Sequence, residues 1–147
     1  MKRLLLVLLV MAVTLTVGCP KAQPDITADT IPLAVLTPII ADISPQDAFT
    51  MIQENQDNAD FFIIDVRTAQ EFATGHIENA LNLDYHSDNF RDEINNLDKD
   101  KTYLVYCGVG VRSASAVDIM EDLGFMEAYN MLGGLNQWTA EGLPITE

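Results

Sequence analysis

Apolar positions fall into one long run near the start and a series of short blocks further on. The run is Leu4–Val17, interrupted only by Thr14 and Thr16, with Lys2-Arg3 before it and Gly18-Cys19 after it. It is too short to span a bilayer comfortably but matches a secretory h-region with its basic flank. Residues 1–18 are therefore expected to be a signal peptide. Residues 19–38 hold Pro24, Pro32 and Pro38 among Asp, Thr and Ala and read as an extended tether. The apolar stretch Ile31–Ile40 complicates that reading, because an early strand and a strap packed on the domain both fit it.

From residue 39 to 147 the pattern switches repeatedly between periods of two and of 3.6, as expected of one domain. Ser44-Pro45-Gln46-Asp47 predicts a helix start: a hydroxyl N-cap, Pro at the first helical position and an acid at the third. Ala48, Met51 and Ile52 then share one face. Phe61–Ile64 predicts a buried strand, and Thr68–Thr74 a short helix stopped by Gly75. Ala80–Leu83 predicts a strand; Phe90, Ile94 and Leu97 have helical spacing; Thr102–Tyr106 is a strand rich in β-formers. Arg112–Leu123 predicts a helix with Ala116, Ile119, Met120 and Leu123 inward and Gly124 as its cap. Met126–Met131 predicts a strand and Leu135–Glu141 a last helix. Strands alternating with helices imply an α/β domain with a mainly parallel sheet and helices on both faces. Ligands in such sheets bind beyond the carboxyl ends of the strands, which directs attention to the loop after Tyr106.

Charge narrows the field. Eight Lys and Arg against 22 Asp and Glu give −14 and a pI near 4.2. Loss of residues 1–18 leaves 6 basic against 22 acidic side chains, or −16. Such a chain lacks the basic face that nucleic acid requires, and it cannot hold an anionic membrane by charge alone. Two cysteines make neither a disulfide scaffold nor a zinc knuckle, and two histidines leave little for a metal site. No metal and no cofactor is expected.

The loop itself is Cys107-Gly108-Val109-Gly110-Val111-Arg112, running into Ser113. A Cys at the end of a buried strand is held in place by the sheet. Gly108 and Gly110 let the backbone curl so that N–H groups point inward. The following helix presents its positive end, and Arg112 adds a permanent cation. Val109 and Val111 leave Arg112 as the only charged side chain of the loop. Together these favour thiolate over thiol; cysteines in such settings fall from about 8.5 to between about 3.5 and 7.5. Cys107 is the expected nucleophile, and Gly108, Val109, Gly110, Val111 and Arg112 the expected substrate-binding residues.

Two resemblances add to this. Gly18-Cys19 resembles the lipobox of prokaryotic lipoproteins, although Thr16 stands where that box usually has Leu. The resemblance implies cleavage before Cys19, a lipid on its sulfur, membrane attachment and an extracytoplasmic location. The domain resembles the rhodanese family of sulfurtransferases from about Ile43 to Ile145. The matching blocks are Ile64-Asp65-Val66-Arg67, Glu71-Phe72-x-x-Gly75-His76-Ile77, Ala80-x-Asn82, Cys107-x-x-Gly110-x-Arg112-Ser113 and Gly133-Gly134-x-x-x-Trp138. The resemblance implies a three-layer rhodanese-like fold. It also implies a Cys107 persulfide, formed from a donor such as thiosulfate and discharged to cyanide or a thiol. It makes Asp65, Arg67 and His76 structural supports beside the site. A non-catalytic persulfide carrier or sensing module is the alternative. Phosphatases and arsenate reductases of this fold are further off, because their loop is Cys-x5-Arg and position 113 is Ser. His86 is expected in a solvated loop and Trp138 in packing. Met120, Met126 and Met131 are read as core fillers, and Asp98–Lys101 as a solvated turn.

Overall fold

The computed structural model describes residues 37–147. The signal segment, Cys19 and the tether as far as residue 36 lie outside the described residues.

Five strands form one sheet: β1 (Ile39–Ile43), β2 (Phe61–Asp65), β3 (Ala80–Asn82), β4 (Thr102–Tyr106) and β5 (Glu127–Met131). Their order is β1-β5-β4-β2-β3, and every neighbouring pair is parallel. The helices are α1 (Pro45–Glu54), α2 (Ala69–Phe72), α3 (Phe90–Asn95), α4 (Val111–Asp122) and α5 (Gly134–Ala140). This is the α/β architecture with a parallel sheet expected from the alternating pattern.

Side chains alternate across a strand, so one sheet feeds two cores. Tyr103 and Val105 of β4 pack with Phe90 and Ile94 of α3 and with Ala116, Val117 and Met120 of α4. Leu104 and Tyr106 face the other way, toward Ala48 of α1 and Leu135 and Trp138 of α5. Cys107, the residue after β4, continues the alternation into the first core. Local signals act as read: Ser44 Oγ accepts from the Asp47 amide at 3.1 Å, and Thr68 and Glu71 form a capping box.

Four details depart from the sequence pattern. Ile39 and Ile40 belong to a strand, β1, paired along β5 from Ile39 opposite Glu127 to Ile43 opposite Met131. As a half-exposed edge strand it lacks a continuous apolar run. α4 starts at Val111, and Ser113 and Val117 join Ala116 and Met120 in its buried stripe, while Ile119 and Leu123 pack half-buried against the same core as expected. Met126 is half-buried rather than a core residue, because it precedes β5. The turn Asp98–Lys101 is tied down: Lys101 pairs with Asp60, Lys99 lies 4.8 Å from the Phe125 ring centroid, and Tyr103 Oη donates to the Asp98 carbonyl.

Candidate active site

Cys107 sits at the carboxyl edge of the central strand β4 and is fully buried. The Gly110 amide donates to its Sγ at 3.1 Å, and Ser113 Oγ lies 3.5 Å away. Burial pushes the thiol up; hydrogen bonds from the Ser113 hydroxyl and from the amides of Ser113, Val109 and Gly110 outweigh it, so the thiol falls below its ordinary range. The N-terminal end of α4 adds positive potential in the same direction.

A loop that turns amides inward must send its carbonyls elsewhere, and here they go to α5. The Leu135 amide donates to the Cys107 carbonyl at 2.8 Å and the Asn136 amide to the Gly108 carbonyl at 3.0 Å. Both donors belong to the first turn of a helix, where amides have no partner within the helix. The approach is so close that a Cβ at Gly134 would lie 2.4 Å from the Cys107 carbonyl oxygen. Gly110, at φ +91°, brings its own backbone against Gly133 in the same way. The Gly-Gly pair after β5 is thus what lets α5 hold the Cys107 loop.

Arg112 is not the free cation the loop sequence suggests. Its guanidinium donates to both carboxylate oxygens of Glu71, at 2.9 and 2.7 Å. Glu71 is fixed by the capping box at the start of α2, accepting from the amide and hydroxyl of Thr68. Its hydrogen bond from Arg112 holds the carboxyl well down, to about 2. The guanidinium also overhangs the loop: a Cβ on Gly108 would meet Arg112 Nη2 at 3.6 Å.

Asp65 and Arg67 form a buried pair at the end of β2, beside β4. Arg67 Nε and Nη2 donate to Asp65 Oδ2 at 2.9 and 2.7 Å, and Nη2 also reaches the Gly75 carbonyl at 2.6 Å. Asn82 Nδ2 donates to the carbonyls of Asp65 and Arg67. His76 stacks on Phe72 at 3.7 Å between centroids, with Nδ1 3.1 Å from the Phe72 carbonyl oxygen. None of Asp65, Arg67, Asn82 and His76 has a hydrogen bond to the sulfur; they brace the neighbouring loop. His86 lies on an exposed turn, and Trp138 is buried against Phe49. Among the described residues no group of three or more His, Cys, Asp or Glu is placed to hold a metal.

A second chain of polar contacts runs behind the sulfur. Ser113 Oγ donates to Asn130 Oδ1 at 2.6 Å, and Asn130 Nδ2 donates to Asp42 Oδ1 at 2.7 Å. The Asp42 carboxylate fixes which end of the Asn130 amide faces Ser113. The single hydroxyl proton of Ser113 is therefore contested between a nearby carbonyl and a more distant sulfur. The backbone amide of Gly110 has no such competitor.

The rhodanese-like domain model matches residues 44–141. The chain belongs to the rhodanese-like family. A sulfurtransferase of Allochromatium vinosum is 33% identical over 99 residues, covering 67% of this chain and 91% of that protein. The thiosulfate sulfurtransferase GlpE of Ectopseudomonas mendocina is 39% identical over 98 residues, covering 67% and 84%. Among solved structures, a rhodanese-like domain protein from Staphylococcus aureus is 34% identical with a TM-score of 0.60, covering 73% of this chain and 99% of that one.

Within the rhodanese-like domain, four residues of the site escaped the sequence reading of roles: Glu71, Ser113, Asn130 and Gly134. Glu71 was visible only as a helix-capping acid, since its Arg lies 41 residues away. Ser113 had a signal that passed unused: a hydroxyl standing in the inward stripe of α4. Asn130 is a polar residue in an otherwise buried strand end, and such a residue needs a partner.

Proposed function

We propose that this rhodanese-like domain is a sulfurtransferase that works through a persulfide on Cys107. The observation that supports it most is the pairing of an inward amide on Sγ with outward carbonyls captured by α5. That arrangement stabilises negative charge on the sulfur before and after transfer, without reorganisation during the reaction. In the first half, the thiolate lone pair attacks the outer sulfur of the donor. The donor's own bond to that sulfur breaks, and the leaving group departs with the electron pair, as sulfite when the donor is thiosulfate. In the second half, a thiolate or cyanide attacks the outer sulfur of the persulfide and Cys107 leaves as thiolate. No proton need move in either half.

Intact-mass measurement tests this. The protein treated with a sulfane donor should gain one sulfur, Cys107→Ser should gain none, and cyanide should remove the gain with thiocyanate appearing. A stable adduct that cyanide and thiols do not discharge would mark a carrier rather than an enzyme. Phosphate release from an aryl phosphate, without sulfur gain, would contradict both. We also propose that the chain is exported and lipid-anchored through Cys19, a reading supported by the Leu4–Val17 run and the Gly18-Cys19 junction. Cys19→Ala should release the protein from the membrane fraction; unaltered retention would overturn the lipid assignment.

A further inference from the structure

Three elements meet behind the sulfur in a line of polar side chains that the sulfur transfer itself does not use. Asp42 of β1 and Asn130 of β5 are register partners on neighbouring strands, and Ser113 stands in the first turn of α4. Burial deepens along the line: Asp42 is exposed, Asn130 is 3% exposed, and Ser113 and Cys107 are fully buried. Only an amide nitrogen can donate to a carboxylate, so Asn130 turns Nδ2 to Asp42, at 2.7 Å, and Oδ1 to Ser113. The hydroxyl has one proton and two acceptors within reach. Asn130 Oδ1 lies 2.6 Å from Ser113 Oγ, and Cys107 Sγ lies 3.5 Å from it. The short contact to a carbonyl oxygen is the stronger of the two. Asp42 belongs to none of the blocks on which the family resemblance rests.

We propose that Asp42 is a positioning residue for Cys107: it fixes the Asn130 amide, which commits the Ser113 proton to Oδ1 and withholds it from the sulfur. The proposal deepens the sulfurtransferase reading and takes its purpose from it. Cys107 attacks in one half of that reaction and leaves in the other. A thiolate given every available donor attacks poorly, because intrinsic nucleophilicity falls with thiol pKa. With Ser113 held away, the Gly110 amide, 3.1 Å from Sγ, carries the stabilisation. A cavity of about 240 Å³, lined by Asp42, Asp118, Ala114, Val117 and Asn130 among others, opens beside the amide. Without the Asp42 carboxylate, Asn130 can turn over, presenting Oδ1 to solvent in that cavity and Nδ2 to Ser113 Oγ. The hydroxyl proton then has the sulfur as its remaining acceptor.

The test is the pH dependence of Cys107 alkylation by iodoacetamide, followed by mass on the Cys107 peptide of the full chain. Asp42→Ala should lower the pH of half-maximal rate by about one unit, the worth of one hydrogen bond to a charged sulfur. Its plateau rate should fall about threefold, as a thiolate of lower pKa attacks more slowly. Asp42→Asn removes the charge but keeps an oxygen for Asn130 Nδ2, and should titrate close to wild type. Ser113→Ala should raise the half-point by much less than Asp42→Ala lowers it, and in the Asp42→Ala background it should erase the drop. The charged groups beside the loop, the Arg112–Glu71 and Asp65–Arg67 pairs, are the same in every variant, as is Asp118 beside Asp42. An Asp42→Ala half-point that stays or rises would overturn the proposal. So would an Asp42→Asn shift equal to that of Asp42→Ala, since charge alone would then act. A drop that survives Ser113→Ala would overturn it too, because the hydroxyl would not carry the effect. Alkylation reads the sulfur whether or not it accepts a sulfane atom. Failure here therefore leaves sulfur gain on Cys107 untouched, whereas absence of sulfur gain would sink the sulfurtransferase reading and the purpose assigned to Asp42, not the shifts.

Discussion

The loops that follow β2 and β4 leave neighbouring strands side by side, with Asp65 in register with Tyr106. They are held by opposite means. The β2 loop is fixed by side chains: a buried Asp65–Arg67 pair, with Arg67 reaching on to the Gly75 carbonyl and Asn82 bridging two carbonyls. The β4 loop is fixed by main chain: its carbonyls are bonded to α5 and its inward amides face Cys107. The first arrangement consumes its polar groups in bracing. The second leaves a donor directed at one sulfur atom and lowers its thiol. The two loops thus differ less in composition than in where their hydrogen-bonding capacity is spent.

The buried pair is where this contrast breaks most visibly. Removing one partner of a buried ion pair leaves an uncompensated charge and costs about 3–5 kcal/mol. Arg67→Ala strands the fully buried Asp65 carboxylate and orphans the Gly75 carbonyl. The expected outcome is a loss of that size, read as a fall in the urea midpoint. Against a usual total of about 5–15 kcal/mol, it would leave a marginal domain. Arg67→Lys should recover only part, because an ammonium cannot reproduce the two-armed contact. A loss below about 1 kcal/mol would show that water or a relaxed loop replaces the pair, and the contrast between the loops would fail.

Much of this was legible in the chain, for reasons that can be named. Strongly periodic or wholly apolar segments declared themselves: β2, β4 and the buried face of α4 follow from residues a few positions apart. The Cys107 loop was equally plain as a candidate site, since Cys, two glycines and Arg within six positions at a strand-to-helix junction carry a local chemical meaning. What stayed hidden depends on contacts across long separations. Glu71 reads locally as a capping acid, and nothing near it announces an Arg 41 residues later. Asn130 and Asp42 meet across 88 residues. Gly134 was seen as part of a motif, but its reason, a backbone 2.4 Å from where its Cβ would be, exists only once β4 and α5 are docked. The edge strand β1 was ambiguous because half-exposed strands need no apolar run.

The main-chain side of the comparison is sharpened by Gly134→Ala. The new methyl would press on the Cys107 carbonyl oxygen and on backbone atoms of Gly108 and Val109, none of which is a flexible side-chain end. The residue also sits at φ +57°, where a side chain adds its own strain. The fold should survive with a loss of about 1–3 kcal/mol, the usual cost of overpacking. The sulfur should report the rest. In the wild-type protein the thiol is lowered, so its alkylation rate should reach half its plateau at a pH below that of a free cysteine, about 8.5. Pushing the loop away from α5 lets carbonyls and amides reorient, and the amide on Sγ is lost while burial still disfavours the thiolate. The half-point should therefore move upward, and sulfur transfer at neutral pH should fall by about a hundredfold, the scale of losing one oriented donor. An upward shift with full secondary structure would tie thiolate stability to the docking of α5. An unmoved half-point in a destabilised protein would instead place the burden on Ser113 and on the helix end of α4.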